Sequence, residues 1–168
     1  AIIVILLFLN FRRFAEVGII MGTLPFAMIG AIWLMYLLGY NFSVAVGVGF
    51  IALAGVAVEI GVIMLVYLNQ SYEEMLQTCK EKGATPRRET LRLAVLHGAG
   101  LRVRPIMMTA AAIIGGLVPI MVSTGTGSEV MGRIAAPMVG GMISAVILAL
   151  LVIPVGYYLW KCRSISEG

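Results

Sequence analysis

Long apolar runs separated by short polar breaks make up most of the chain. Four of these runs, 15–38, 44–68, 105–123 and 134–160, reach the length of about 20 mostly apolar residues that a membrane-spanning helix needs. The opening run, AIIVILLFLNF over 1–11, supplies about half a span. No charged stretch precedes it and no small-residue cleavage site follows it, so it does not read as a secretory signal. It reads instead as a truncated helix, and the sequence as part of a longer protein. The pattern predicts an all-α membrane protein, a helical bundle forming one unit over 1–168, with a truncated first helix and four complete ones behind it.

The breaks set the orientation. GYNFS, after the run 15–38, carries no formal charge, whereas 69–104 holds Lys80, Lys82, Arg87, Arg88, Arg92, Arg102 and Arg104. Lysine and arginine gather on the cytoplasmic side of membrane proteins, so 69–104 and the tail after Trp160 are expected there, with 39–43 and 124–132 outside. Within 69–104, Thr85 can cap a helix that Pro86 begins. That predicts a separate amphipathic helix over 86–97, lying on the membrane surface with Leu91 and Val95 opposed to Arg87, Arg88 and Arg92. His97 ends this segment. With no second ligand near it in sequence, it reads as a solvated terminal histidine rather than a metal or proton site.

Composition sharpens the class. Of 168 residues 61% are hydrophobic and 12% charged, against about 45–50% and about 25% in soluble domains. The 20 glycines and 11 methionines fit helices that approach closely and fill irregular gaps. A net charge of +4 could suggest nucleic acid, but the basic residues sit in loops between apolar runs and act as topology signals, so lipid is the expected partner. Cys79 and Cys162 both fall in segments assigned to the cytoplasm, where no disulfide is expected. The sequence contains no nucleophile with a paired base, no zinc spacing and no phosphate loop, so neither an enzyme nor a resident cofactor is expected.

Glu59 stands inside the run 44–68, where an acidic residue near a helix centre costs about 2.5–3.5 kcal/mol. Ala52, Gly55 and Glu59 share a helix face by their spacing, which predicts a carboxyl looking into a close helix contact and serving as a proton or ion site. The alternative is a protonated glutamic acid hydrogen-bonded to a neighbouring helix for packing. The entry RVRPIMMT to the next span offers Arg102 and Arg104 as membrane anchors or as the mouth of a proton exit. Thr109 either bonds back to its own helix or lines that exit. Gly115–Gly116 and Gly140–Gly141 are expected to mark close crossings.

LPFAMIGAIWLMYLLGYNFSVAVGVGFIALAGVAVEIGVIMLVYL, then RVRPIMMT, then STGTGSEVMGRIAAPMVGGMISA, together resemble the resistance-nodulation-division (RND) efflux pumps, most of all the copper/silver exporters of the heavy-metal branch. The resemblance covers essentially the whole chain and implies the C-terminal five of twelve transmembrane helices. It implies a homotrimeric, proton-driven antiporter in the inner membrane of a Gram-negative bacterium. Such a pump is joined through a periplasmic adaptor to an outer-membrane channel and carries Cu(I) or Ag(I) outward. It also implies a proton relay in which Glu59 works with an aspartate of the other half and a lysine. The lysine position is Ile106 here. Arg102 and Thr109 match relay positions of the multidrug branch, which has a lysine where this chain has Glu59. Met131, expected to begin the last helix on the outer side, matches a methionine in the copper exporters' ladder of paired thioethers. Met107 and Met108 read as gap-fillers. Two alternatives stand beside this reading: a divalent-metal or multidrug pump of the same family, and a membrane subunit or remnant that binds partner helices without transporting.

Overall fold

The computed structural model describes residues 2–11, 14–83 and 88–166, with side chains as far as 163. Five helices follow one another: α1 (Ile2–Phe11), α2 (Phe14–Leu38), α3 (Val44–Glu81), α4 (Arg88–Val122) and α5 (Ser128–Ser166). α2, α3, α4 and α5 are each long and apolar enough to cross a membrane, whereas α1 is short.

Local sequence explains where the helices turn. α2 ends at Gly39, whose φ of 68° is a left-handed conformation that only glycine adopts at little cost. The Tyr40 amide reaches back to the Met35 carbonyl (3.1 Å) and the Gly39 amide to Tyr36 (3.2 Å), the paired bonds of a Schellman cap. Ser43, extended at φ −139° and ψ 169°, then caps α3 by accepting from the Val46 amide at 3.5 Å. At the same end of the bundle Gly127, at φ 90°, precedes α5, and the Ser128 hydroxyl accepts from the Gly125 amide at 3.1 Å.

α5 is the centre of the bundle, touching α2, α3 and α4, while α1 leans on α2. In lipid there is no hydrophobic drive between helices, so close backbone approach and dispersion contacts must hold them. The crossings are built accordingly. A methyl group on Gly140 would fall 2.7 Å from the Gly30 carbonyl oxygen, and one on Gly49 would fall 2.5 Å from that of Ile134. The Ser144 hydroxyl donates to the Ala27 carbonyl of α2 (3.1 Å) and to Gly141 of its own helix (2.9 Å). Below these small-residue contacts lies a larger core that includes Ile20, Leu68, Leu91, Met142, Ile153 and Tyr157.

Three expectations are corrected here. The separate surface helix over 86–97 does not exist as such: from Arg88 on, this segment and the span 105–123 form one helix, α4, in which Pro105 is internal. Thr85, Pro86 and Arg87 lie outside the described residues. The chain stays helical because tertiary contacts hold 97–104: Gly98 closes on Ser71 of α3, and Arg102 stacks on Tyr67. Likewise α3 runs on to Glu81 rather than stopping near 68, and α5 begins at Ser128, so Met131 lies within its first turns. The glycine pairs divide. Gly140 and Gly141 pack against Leu34 and Leu53, but Gly115 and Gly116 face open space among the described residues.

Candidate functional site

Two contacts fix the register of α3 against α4. Gly98 lies against Ser71, where an added methyl would stand 2.7 Å from the serine hydroxyl. One turn further along both helices the Arg102 guanidinium lies 3.5 Å over the Tyr67 ring. Counting on from Ser71 and Gly98 at 1.5 Å per residue, Glu59 stands about 18 Å up α3 and Thr109 about 17 Å up α4, so the two share a depth in the membrane.

Both side chains are exposed on the surface of the bundle. Within this chain the face around Glu59 is open: Ala52 is half-buried, Gly55 is exposed with nothing among the described residues within 4 Å of where a methyl group would stand, and Glu59 is exposed with it. Spacing is a sound guide to which residues share a face, but it cannot tell which helix covers that face. Thr109 donates its hydroxyl to the Pro105 carbonyl at 3.0 Å, bonding back to its own helix in the turn that begins at the proline.

Arg102 is half-buried and lower in the bundle, level with Tyr67, which lies eight residues of α3 and about 12 Å below Glu59. The aromatic face of Tyr67 meets its charge, an interaction worth about 2 kcal/mol when desolvated. Its Nε is buried without a hydrogen-bond partner among the described residues. Arg102 is therefore held by α3 and does not join Glu59 and Thr109 at their depth. Ile106 is 6% exposed and belongs to the apolar core, as does Ala110 one turn on. Met131 is 58% exposed near the start of α5, and Met107 and Met108 are exposed within this chain as well. Met64 and Met142, by contrast, are fully enclosed and do fill the core.

A polar cluster escapes sequence reasoning. Glu16 of α2 is 2% exposed, and Asn69 of α3 donates to its carboxylate at 3.2 Å. The Tyr157 hydroxyl of α5 in turn donates to the Asn69 side-chain carbonyl at 2.7 Å. Lys161, one turn beyond Tyr157, is also buried, its ammonium 4.2 Å from the Tyr72 ring. Glu16, Asn69, Tyr72 and Lys161 line a cavity of about 360 Å³ at the end of the bundle where α3 leaves the membrane. Glu16 sits at the start of an apolar run and Asn69 at the end of one, so each reads as a boundary residue. Only the packing of three helices joins them.

The matches to known proteins cover this whole region. The chain is 55% identical over 163 residues to the putative cation efflux system protein SilA of Salmonella typhimurium, covering 96% of this chain and 15% of that protein. It is 52% identical, with the same coverage, to the cation efflux system protein CusA of Escherichia coli K12. The cobalt-zinc-cadmium resistance protein CzcA of Cupriavidus metallidurans is 37% identical over 158 residues, 94% of this chain and 14% of its own length. Among solved structures, the crystal structure of a heavy metal efflux pump superposes with a TM-score of 0.79 at 36% identity, covering 95% of this chain and 15% of that one. These relatives are efflux and resistance proteins rather than enzymes, and the chain spans about 15% of the length of SilA and CusA. Residues 1–161 match the AcrB/AcrD/AcrF family, and with these five helices in this arrangement the chain belongs to that family.

Proposed function

We propose that the full protein containing this chain is a proton-driven exporter of heavy-metal ions in the inner membrane of a Gram-negative bacterium, with Cu(I) and Ag(I) as cargo. Glu59 carries the reading: an ionisable carboxyl in an apolar span, exposed on the side of the bundle and level with the Thr109 hydroxyl. A carboxyl at that depth is costly unless a neighbour or a proton compensates it, so it invites a mechanism in which it is alternately protonated and ionised. Protonated, it is neutral and suits a closed, dry environment. Ionised, it needs water or a cation beside it, so each change of state favours a different helix arrangement. Thr109 offers a hydroxyl to that proton path, and Arg102, held on Tyr67 nearer the basic loop, supplies positive charge along the way out. The rest of the protein provides the covering helices and the acidic partner of Glu59, and the full pump works as a homotrimer with a periplasmic adaptor and an outer-membrane channel.

The choice of cargo is supported by the higher identity to SilA and CusA than to CzcA. Met131 adds to it, because an exposed thioether is a soft, neutral donor that suits a monovalent soft ion and releases it readily. The test is Glu59→Gln in the full-length protein, expressed in a strain lacking its own metal exporters. Glutamine keeps shape and hydrogen bonding but cannot ionise. Silver and copper tolerance should fall to the level of the empty strain at unchanged expression; full tolerance in the mutant would remove Glu59 from the mechanism.

A divalent-metal or multidrug exporter of the same family is the second reading, and Ile106 favours it: a buried isoleucine stands where the copper/silver relay has its lysine. Cobalt, zinc and cadmium tolerance in the same strain separates the two.

A further inference from the structure

α3 and α4 continue past the membrane as two antiparallel arms joined through 82–87, and a groove of about 660 Å³ lies between them. Its lining brings together Met75 and Cys79 of α3 and His97 of α4, with Glu74, Thr78 and Thr90 around them. Cys79 and Met75 are one turn apart on one helix face, about 5–6 Å between Cβ atoms. His97 adjoins Gly98, which packs against Ser71, so the imidazole starts from the opposite arm about one turn nearer the membrane than Met75.

Side-chain direction narrows these gaps. Helical side chains lean toward their own N-terminus, so Cys79 leans toward Met75 and Met75 toward the level of His97, while His97 on the antiparallel arm leans back toward Met75. The methionine is the middle member of a ladder. It is 9% exposed, whereas Cys79 is half-buried and His97 exposed.

The donor set selects its ion. Among the described residues no three His, Cys, Asp or Glu side chains gather to hold a metal, which leaves tetrahedral zinc short of its usual four ligands. A thiolate, a thioether and an imidazole instead suit soft, monovalent Cu(I) or Ag(I). We propose that Cys79, Met75 and His97 form a capture site for Cu(I) or Ag(I) on the basic-loop side of the membrane. Binding exchanges the Cys79 thiol proton, released to water, for the metal ion, with no change of oxidation state. The site's role in loading an exporter rests on the function proposed above, but its metal binding does not.

Silver tests it without a reductant. Full-length protein in detergent is titrated with Ag(I) in chloride-free buffer, and alkylation of each cysteine is followed by peptide mass spectrometry. Cys162, half-buried on α5 away from this groove, serves as the internal reference. Cys79 should be protected at about tenfold lower silver than Cys162, equivalent to about 1.4 kcal/mol of extra affinity. Met75→Leu conserves volume and His97→Gln changes an exposed residue; each should raise the silver needed for half-protection of Cys79 several-fold and leave Cys162 unmoved. Equal protection of the two cysteines, or indifference of Cys79 to both substitutions, would overturn the site. Loss of protection in His97→Gln alone, should Met75→Leu fail to fold, supports it. Silver tolerance measured in parallel with Glu59→Gln separates the two proposals: protection without any pump-dependent tolerance overturns the export reading and leaves the capture site standing.

Discussion

Asn69 shows how much one side chain can organise. It donates to Glu16 and accepts from Tyr157, tying α2, α3 and α5 together at a partly buried point. Replacing it with leucine removes both bonds at once, and a buried polar group deprived of its partner costs about 1–3 kcal/mol. Asn69→Leu should therefore lower the melting temperature of the full-length protein in detergent by several degrees, and Tyr157→Phe, which removes one donor, by less. Equal melting temperatures for wild type and Asn69→Leu would show that the cluster contributes nothing to stability. Met131 calls for a different readout, because it is exposed and its thioether matters only if metal passes it. Met131→Ile keeps size and apolarity while deleting the soft donor. Tolerance to silver and to copper should drop together, severalfold, at unchanged expression; unchanged tolerance to both would return Met131 to a packing role.

At the scale of elements, α5 depends on glycine. A methyl group at position 140 would stand 2.7 Å from the Gly30 carbonyl oxygen and 2.6 Å from the Leu34 Cβ, backbone and near-backbone atoms that cannot swing aside. Gly140→Ala should push α2 and α5 apart, costing about 1–3 kcal/mol as overpacking does. A lowered melting temperature, with faster proteolysis at the α2–α5 side, checks it; a mutant as stable as wild type would mean the crossing is looser than it stands here. The arms of α3 and α4 show the opposite case, long helices stabilised outside the apolar spans. Leu68, Ser71 and Met75 recur along α3 at helical spacing and are buried, as are Leu91, Ala94 and Val95 on α4. That stripe is present in the sequence, but the polar residues around it disguise it as a loop.

For the whole molecule the decisive question is orientation. The basic residues around the α3–α4 connection predict a cytoplasmic location for that end and an outer one for the GYNFS and STGTG turns. Cys79, half-buried at the α3 arm, and a cysteine introduced at the exposed Thr126 probe the two sides. Thr126 is preferable to Gly127, whose φ of 90° would strain any side chain. In intact cells an impermeant maleimide should label position 126 and spare Cys79; the reverse pattern would invert the topology.

Class, spans and family are legible in residue order, because each rests on a local or additive property. Apolar length decides which segments can cross lipid, and motifs such as RVRPIMMT and GSEVMGRIAAP are read in order along the chain. Glu59 stands out as misplaced on the same footing, since the cost of an intramembrane carboxyl follows from its depth along the span. Which face meets which is another matter, and emerges only when the helices pack. Helical spacing groups Ala52, Gly55 and Glu59, but whether that face is covered depends on where α2, α4 and α5 lie, and they leave it open. The Gly140–Gly141 pair packs while Gly115–Gly116 meets nothing among the described residues, although the two look alike in sequence. The Glu16–Asn69–Tyr157 cluster and the groove of Cys79, Met75 and His97 join residues from different helices. Such sites are set by crossing points and register, which follow from the fit of whole surfaces and not from any local run of residues.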